Sequence, residues 1–344
     1  MNMNKLSQGK LPGEILSRIV SKSPLDGSVI VGPRVGFDSG IIQIENNTLV
    51  VTTDPAIYLP RNIPIDMFAF GAVHFAASDV AVFGALPRYM LYNFLVPVGT
   101  KVEFAETVSE LICEHCKKLN ISIVGGHTGA YYGIETPVIA TTMMGHPINS
   151  EFILPSNAKP GDKILVTKWI GLEFVVALAY YDEEKLRRII GDKKLREFKQ
   201  LYILETVVDE ALLLTKENLT RAMHDITEGG LATALNELAD ASNVGFRVEY
   251  EKLPMTPEIS CVLSALNINP LHVSSTGSLL AAIPNEYVDQ ALEILHKNNI
   301  PATTIGEFIK NTETRELIMR NKVLPFPREN TDAFAEYFKL EKNL

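Results

Sequence analysis

The sequence predicts an α+β chain of two domains, and three observations carry that expectation. At 344 residues and 46% apolar, the chain is long enough for two cores of ordinary size. Strand-like and helix-like segments mix in both halves without the regular alternation of a doubly wound sheet. Between them, residues 155–161 read Pro-Ser-Asn-Ala-Lys-Pro-Gly, a turn-rich connector with no apolar face. The expected domains are therefore 1–154 and 155–344.

In chain order, 11–21 reads as a short amphipathic helix with Leu11, Ile15, Ile19 and Val20 on one side. Residues 28–31 and 40–44 look like strands around a Gly/Pro turn. Asn46-Asn47 then turns the chain into a β-branched strand, 48–53, that ends at Asp54-Pro55. Residues 65–84 are apolar almost all round, the mark of a helix buried between layers, and a helical reading extends through Arg88. An amphipathic helix over 102–119 leads into a short buried strand, 121–124. The turn Gly125-Gly126-His127-Thr128-Gly129 and a strand over 136–144 follow.

Past the connector, 163–167 is a strand and 173–181 and 195–214 carry helical pattern. Residues 222–224 are strand-like, and 227–241 form a helix with Leu231, Leu235 and Leu238 on its stripe. Strands are expected at 246–250, 279–283 and 317–320, a helix at 287–297, and a charged, frayed end at 337–344.

Composition excludes several classes. The net charge is −9, with Lys and Arg scattered, which argues against gripping nucleic acid or an anionic membrane. Three cysteines are too few for a disulfide scaffold and fit a reducing compartment. The first residues show no signal-peptide pattern, and the most apolar stretch, 67–78, is too short to span a bilayer. These features point to a cytosolic globular protein.

The informative feature is where the acids fall. Asp54 ends an apolar strand, Asp225 ends another, and Asp38 sits in Gly-Phe-Asp-Ser-Gly. Asp79 lies mid-helix with no Lys or Arg before Arg88. A carboxylate in apolar surroundings costs several kcal/mol unless it protonates, bonds to backbone at a turn, or meets a divalent cation. A carboxylate cluster suits Mg²⁺, which takes hard oxygen ligands and usually arrives with phosphates.

Plainer explanations exist for each. Asp54 and Asp38 fit turn residues. Asp225-Ile226-Thr227-Glu228 has capping-box spacing. Asp79 fits a buried pair across an interface. Two glycine-rich turns accompany the acids: 125–129, and Thr227-Glu228-Gly229-Gly230 opening a helix. Both let backbone N–H groups approach an anion.

No Walker-type loop, Gly-x-Gly-x-x-Gly after a strand, His-Glu-x-x-His or Gly-x-Ser-x-Gly occurs. Cys113-Glu114-His115-Cys116 has no second ligand pair, so packing is the better reading of its thiols.

Taken in order, Asp54-Pro55, the run 78–88, Gly125-Gly126-His127-Thr128, Lys159-Pro160-Gly161-Asp162, the run 224–231 and Ser275-Thr276-Gly277-Ser278-Leu279-Leu280 resemble a family. It is the superfamily of AIR synthase, thiamine-monophosphate kinase, selenophosphate synthetase and the hydrogenase maturation protein HypE, with the HypE branch nearest. Gly9-Lys10-Leu11-Pro12 and Val31-Gly32-Pro33 add to that likeness.

The resemblance implies two α/β domains, a homodimer through the N-terminal sheets, and ATP with Mg²⁺ in a cleft. The chemistry it implies is phosphorylation of an amide-type oxygen on a small or partner-borne substrate. Carried over by motif, Asp38, Asp54, Asp79 and Asp225 become metal candidates, with Asp54, Asp79 and Asp225 catalytic. Gly125, Gly126, His127 and Thr128 would contact nucleotide, and Thr227, Glu228, Gly229 and Gly230 would form a second anion turn.

The pattern is departed from at Phe37, where relatives pair two acids, at Ser78, where an Asn is usual, and at His127, where a carboxylate is usual. HypE carries a C-terminal cysteine, whereas the sequence here ends Lys-Leu-Glu-Lys-Asn-Leu. The resemblance also leaves AIR synthase or thiamine-monophosphate kinase activity, and a non-catalytic nucleotide-binding assembly role, as alternatives.

Overall fold

A computed structural model describes residues 11–58, 63–328 and 332–340. The first half holds helix α1 (Gly13–Val20), strands β1 (Val29–Val31), β2 (Gly40–Ile44) and β3 (Asn47–Ile57), and helix α2 (Ile65–Ala81). It continues with β4 (Ala85–Pro97), α3 (Val102–Lys118), β5 (Ser122–Tyr131) and β6 (Val138–Pro147). These strands form one sheet in the order β1-β2-β3-β6-β4-β5. Only β4 and β5 pair in parallel, and α3 makes the crossover that this requires.

The second half runs β7 (Lys163–Thr167), α4 (Leu172–Tyr181), α5 (Glu183–Phe198), α6 (Val208–Lys216), β8 (Ala222–Asp225), α7 (Gly230–Ser242) and β9 (Gly245–Glu249). After α8 (Pro257–Ala265) come β10 (Leu279–Ile283), α9 (Val288–Lys297), β11 (Ala302–Ile309), β12 (Arg315–Met319), β13 (Lys322–Pro325) and α10 (Ala333–Leu340). Its sheet has the order β13-β12-β9-β11-β7-β10-β8, mixed in direction because β12 joins β9 in parallel. Two mixed sheets with helices and no repeating alternation make the chain α+β, as the sequence predicts. Among the described residues no helix is long and apolar enough to cross a membrane.

Helix α2 explains its own composition. From Phe68 to Ala81 it is buried on nearly every side, packed on the sheet and against α3 and α6. A helix with no polar face has no stripe to show. The core around it does not stop at the connector: Val73, Ala77 and Val80 belong to the same buried cluster as Leu165, Val207, Leu214, Met223 and Leu279 of the second half.

Several boundaries differ from expectation. The helical reading through Arg88 fails: α2 ends at Ala81, Gly84 turns the chain with φ +73, and Ala85 begins the long strand β4. Strand β3 does not end at Asp54-Pro55 but runs on to Ile57. Its pairing with β2 has finished by then, so the missing N–H of Pro55 costs no ladder bond on that side. Residues 195–214 split between α5 and α6. The segment from Tyr337 is not frayed as far as Leu340, because Tyr337 and Phe338 of α10 pack against Phe174; residues 341–344 lie outside the described ones, as do Gly9 and Lys10.

Candidate active site

Four elements deliver the acids to one place. Asp38 lies on the loop between β1 and β2, Asp54 on β3, Asp79 two residues before the end of α2, and Asp225 at the end of β8. On β3, Asp54 shares its face with the buried Thr52 and Ala56, as the two-residue period of a strand requires. All four acids line a cavity of about 560 Å³ between the two halves of the chain.

Hydrogen bonds hold the acids close. The Thr52 hydroxyl lies 2.8 Å from the Asp38 carbonyl and 2.9 Å from Asp79 Oδ2, and its single proton serves one at a time. Ser39 Oγ donates to the Asp79 carbonyl at 2.9 Å. Burial, and then the charges of Asp54, Asp225 and Asp38, push the Asp79 carboxyl well above its usual range.

His224, which sequence reasoning did not single out, stands within the cluster, 1% exposed. Its Nδ1 faces the Asp225 carbonyl at 2.7 Å and Asp38 Oδ2 at 3.5 Å, and its Nε2 faces Glu237 at 3.3 Å. Acceptors at both nitrogens fit an imidazolium. Burial works against that charge, but Asp38 and the hydrogen bonds with Asp225 and Glu237 outweigh it, and His224 titrates well above its usual value. Ligand atoms of Asp38, His224 and Asp225 all lie within 4.8 Å of one another. A protonated His224 has no lone pair to offer, so the donors are the carboxylates of Asp38 and Asp225 with those of Asp54 and Asp79 lining the same cavity, a hard-oxygen set of the kind a divalent cation fits.

The expected glycine turns fare differently. Thr227 and Glu228 line the cavity. Gly229, with φ 80, is the N-cap of α7, and its N–H donates to Asp332 Oδ2 at 3.1 Å, so that donor is already engaged. The capping box at Asp225–Glu228 does not form, because the helix starts four residues too late. Gly230 packs so tightly that a Cβ would stand 2.6 Å from the Val273 carbonyl.

The 125–129 segment is not a turn, and 121–124 is not a buried strand. Ile121 is buried just ahead of the strand, and the rest belongs to β5, an exposed edge strand in which Gly125, Gly126, His127 and Thr128 pair with β4 and do not line the cavity. Gly126 is there because a Cβ would stand 2.2 Å from the Tyr92 carbonyl. His127 Nε2 meets the Tyr131 hydroxyl at 2.6 Å. Cys116 is buried against Met90, its thiol pushed up to about 12 by burial, so it packs as expected, whereas Cys113 is exposed and does not.

Sequence reasoning also missed Arg34, the one basic side chain among the cavity's described lining residues, and Glu173, at the start of α4. Arg34 left a trace, standing four residues before Asp38; its guanidinium lies 4.7 Å over the Phe37 ring. Glu173 left one too, a lone acid opening the apolar run Leu172–Tyr181. Its Oε2 accepts from the hydroxyls of Ser274 and Thr276, the latter at 2.6 Å, and burial raises it to about 7.

A pair of mixed sheets closing an acidic cavity between them defines a class of two-domain α+β proteins with an interdomain site. Within that class the chain belongs to the AIR synthase related family: the N-terminal domain of that family matches residues 36–146 and its C-terminal domain residues 159–318. Carbamoyl dehydratase HypE of Rhizobium leguminosarum bv. viciae is 26% identical over 300 residues, covering 86% of this chain and 81% of that protein. Thiamine-monophosphate kinase of Pyrococcus abyssi is 29% identical over 264 residues, covering 74% and 79%. The crystal structure of hydrogenase maturation protein HypE in complex with ATP superposes with a TM-score of 0.67 at 21% identity, over 93% of this chain and 91% of that one.

Proposed function

We propose that the chain is a HypE-like, ATP-dependent enzyme of the AIR synthase related family. It binds Mg-ATP in the acid-lined cavity and phosphorylates an amide-type or similar oxygen of a small or protein-borne acceptor. The observation that carries this reading is the convergence of Asp38, Asp54, Asp79 and Asp225 on one cavity, with Asp79 raised by burial and then by the other three. The names of the relatives, a carbamoyl dehydratase and a kinase, support the same reaction class.

Asp38, Asp54, Asp79 and Asp225 would hold the divalent ion, which when bound shields the phosphates from the acids and withdraws charge from the terminal phosphorus. The chain's own residues do the rest. His224 holds Asp38 and Asp225 in place from behind. Arg34 supplies positive charge for a phosphate at the cavity wall. The acceptor oxygen attacks the terminal phosphorus as the bond to ADP breaks, and the oxygen so phosphorylated becomes a good leaving group.

A homodimer through the first sheet belongs to the same proposal. Strand β5 is an exposed edge carrying Ile123, Val124 and Tyr131, 36%, 54% and 44% exposed, and a bare apolar edge calls for cover. In such a dimer Gly125, Gly126, His127 and Thr128 would face a second copy.

Calorimetric titration with a non-hydrolysable ATP analogue, with and without Mg²⁺, tests the reading. Binding should require Mg²⁺, and Asp79→Asn should weaken it about tenfold or more. Equal binding with and without Mg²⁺, or an Asp79→Asn variant that binds like the parent, overturns the assignment.

A further inference from the structure

Beside the main cavity lies a second one of about 150 Å³, between α2, α4 and the end of β3. The two share a wall at Pro55, Ile57, Phe75 and Glu173. Its volume is well below the roughly 300 Å³ at which drug-sized sites begin, so it takes a fragment rather than a nucleotide. Tyr58, Phe68, Phe75 and Phe334 make its walls aromatic. Two carboxyls, Glu173 and Glu205, are set into them, and no basic side chain lines it among the described residues.

Glu205 is 2% exposed, and its Oε1 has no hydrogen-bond partner. Its loop is nevertheless firmly held. Lys168 Nζ donates to the Thr206 carbonyl and, at 2.9 Å, to that of Gly277. The Val207 N–H donates to Ser78 Oγ at 3.1 Å. Gly277 packs so closely that a Cβ would stand 2.3 Å from the Leu204 carbonyl. The fold thus sets a buried carboxyl with one unbonded oxygen into the wall of an aromatic pocket.

We propose that this side pocket binds a small organic cation, an alkylammonium group, with its charge between Glu205 and Glu173 and its alkyl part against the aromatic rings. Two neighbouring carboxyls in apolar surroundings repel each other and lack hydration. A cation between them replaces that repulsion with two attractions, and the ring faces add to its hold. A neutral guest of the same shape gains only the apolar contact.

Burial raises both acids, Glu173 to about 7 and Glu205 well above its usual range, so entry of the cation expels protons. The charges facing Glu173 are Glu205, Glu228 and Asp332, and Tyr180 faces Glu205. Because the pocket shares a wall with the acid-lined cavity, the cation would be part of the phosphoryl acceptor. That role rests on the ATP reading; the cation site itself does not.

The test is calorimetric titration of the full chain with n-butylammonium and no nucleotide. One site per chain is expected, with affinity rising at least about tenfold between about pH 6 and about pH 8 as protons are released, and with 1-butanol and valeramide failing to compete. Glu205→Gln should weaken binding about tenfold or more. Ala177→Leu, which fills the pocket from α4 and leaves both carboxyl groups in place, should abolish it. No binding at millimolar n-butylammonium, equal binding of valeramide, or unchanged affinity in both variants overturns the proposal. ATP binding is titrated separately, so either reading can fail while the other stands.

Discussion

Replacing Glu173 by glutamine isolates the electrostatic cost of the acid shared by the two cavities. The substitution keeps an oxygen to accept from Ser274 and Thr276 and removes only the charge. In the folded chain the carboxyl is raised from 4.5 to about 7. At about 1.4 kcal/mol per tenfold change in proton affinity, that is about 3 kcal/mol. The side chain is half-buried, and water on the cavity side trims the cost to about 2 kcal/mol.

The sign follows from linkage. The unfolded chain ionises Glu173 from about pH 4.5 upward while the folded chain resists until about pH 7, so the parent loses stability across that window and is level above it. Urea denaturation at about pH 4 should therefore show parent and Glu173→Gln nearly equal. At about pH 8 the variant should be about 2 kcal/mol more stable. A difference that does not change with pH, or a variant less stable at the higher pH, refutes the electrostatic account of this wall.

Two further outcomes follow. Lys168 and Glu210 form a buried pair at 2.7 Å, their side chains 7% and 2% exposed. Lys168→Met should cost about 3–5 kcal/mol in urea denaturation by leaving Glu210 uncompensated, and a second change, Glu210→Leu, should recover most of it. On the β5 edge, Val124→Lys should convert a dimer to a monomer in light scattering with little change in melting temperature, because the side chain is 54% exposed and supports no core.

The parts of the fold that were legible in the sequence are those whose signal is local. Helix α2 announced itself by apolarity on every side, and Asp79 by being out of place there. The misread elements depend on partners far along the chain. Strand β5 resembles a short buried strand and a turn because its glycines meet a constraint set by β4: only the Tyr92 carbonyl explains Gly126. The register slips between Met90 and Leu91, and that slip leaves no mark in either strand's own pattern. Gly229 needed φ 80 to start α7, and the capping-box spacing four residues earlier concealed it. His224, Glu173 and Glu205 stayed hidden for another reason. Each has an ordinary local setting, and only the fold gathers them against other acids.

The way the chain treats its other buried acids sharpens the case for the cavity. Asp162 meets Arg221 at 3.2 Å, and Glu210 meets Lys168 at 2.7 Å. In those places an internal cation offsets the charge, and the pair is structural. Asp79 is arranged differently: its side chain accepts a hydrogen bond from the Thr52 hydroxyl, and burial and then the charges of Asp54, Asp225 and Asp38 raise it. Burying an acid among acids lowers stability, and a fold with cations to spare elsewhere keeps that arrangement only where something from outside completes it. The charge required is positive and compact, and hard oxygen donors select a divalent ion over an organic one. Mg²⁺ alone, before any nucleotide, should therefore raise the melting temperature of the parent and leave that of Asp79→Asn almost unmoved, because the variant has already shed the repulsion that the ion relieves.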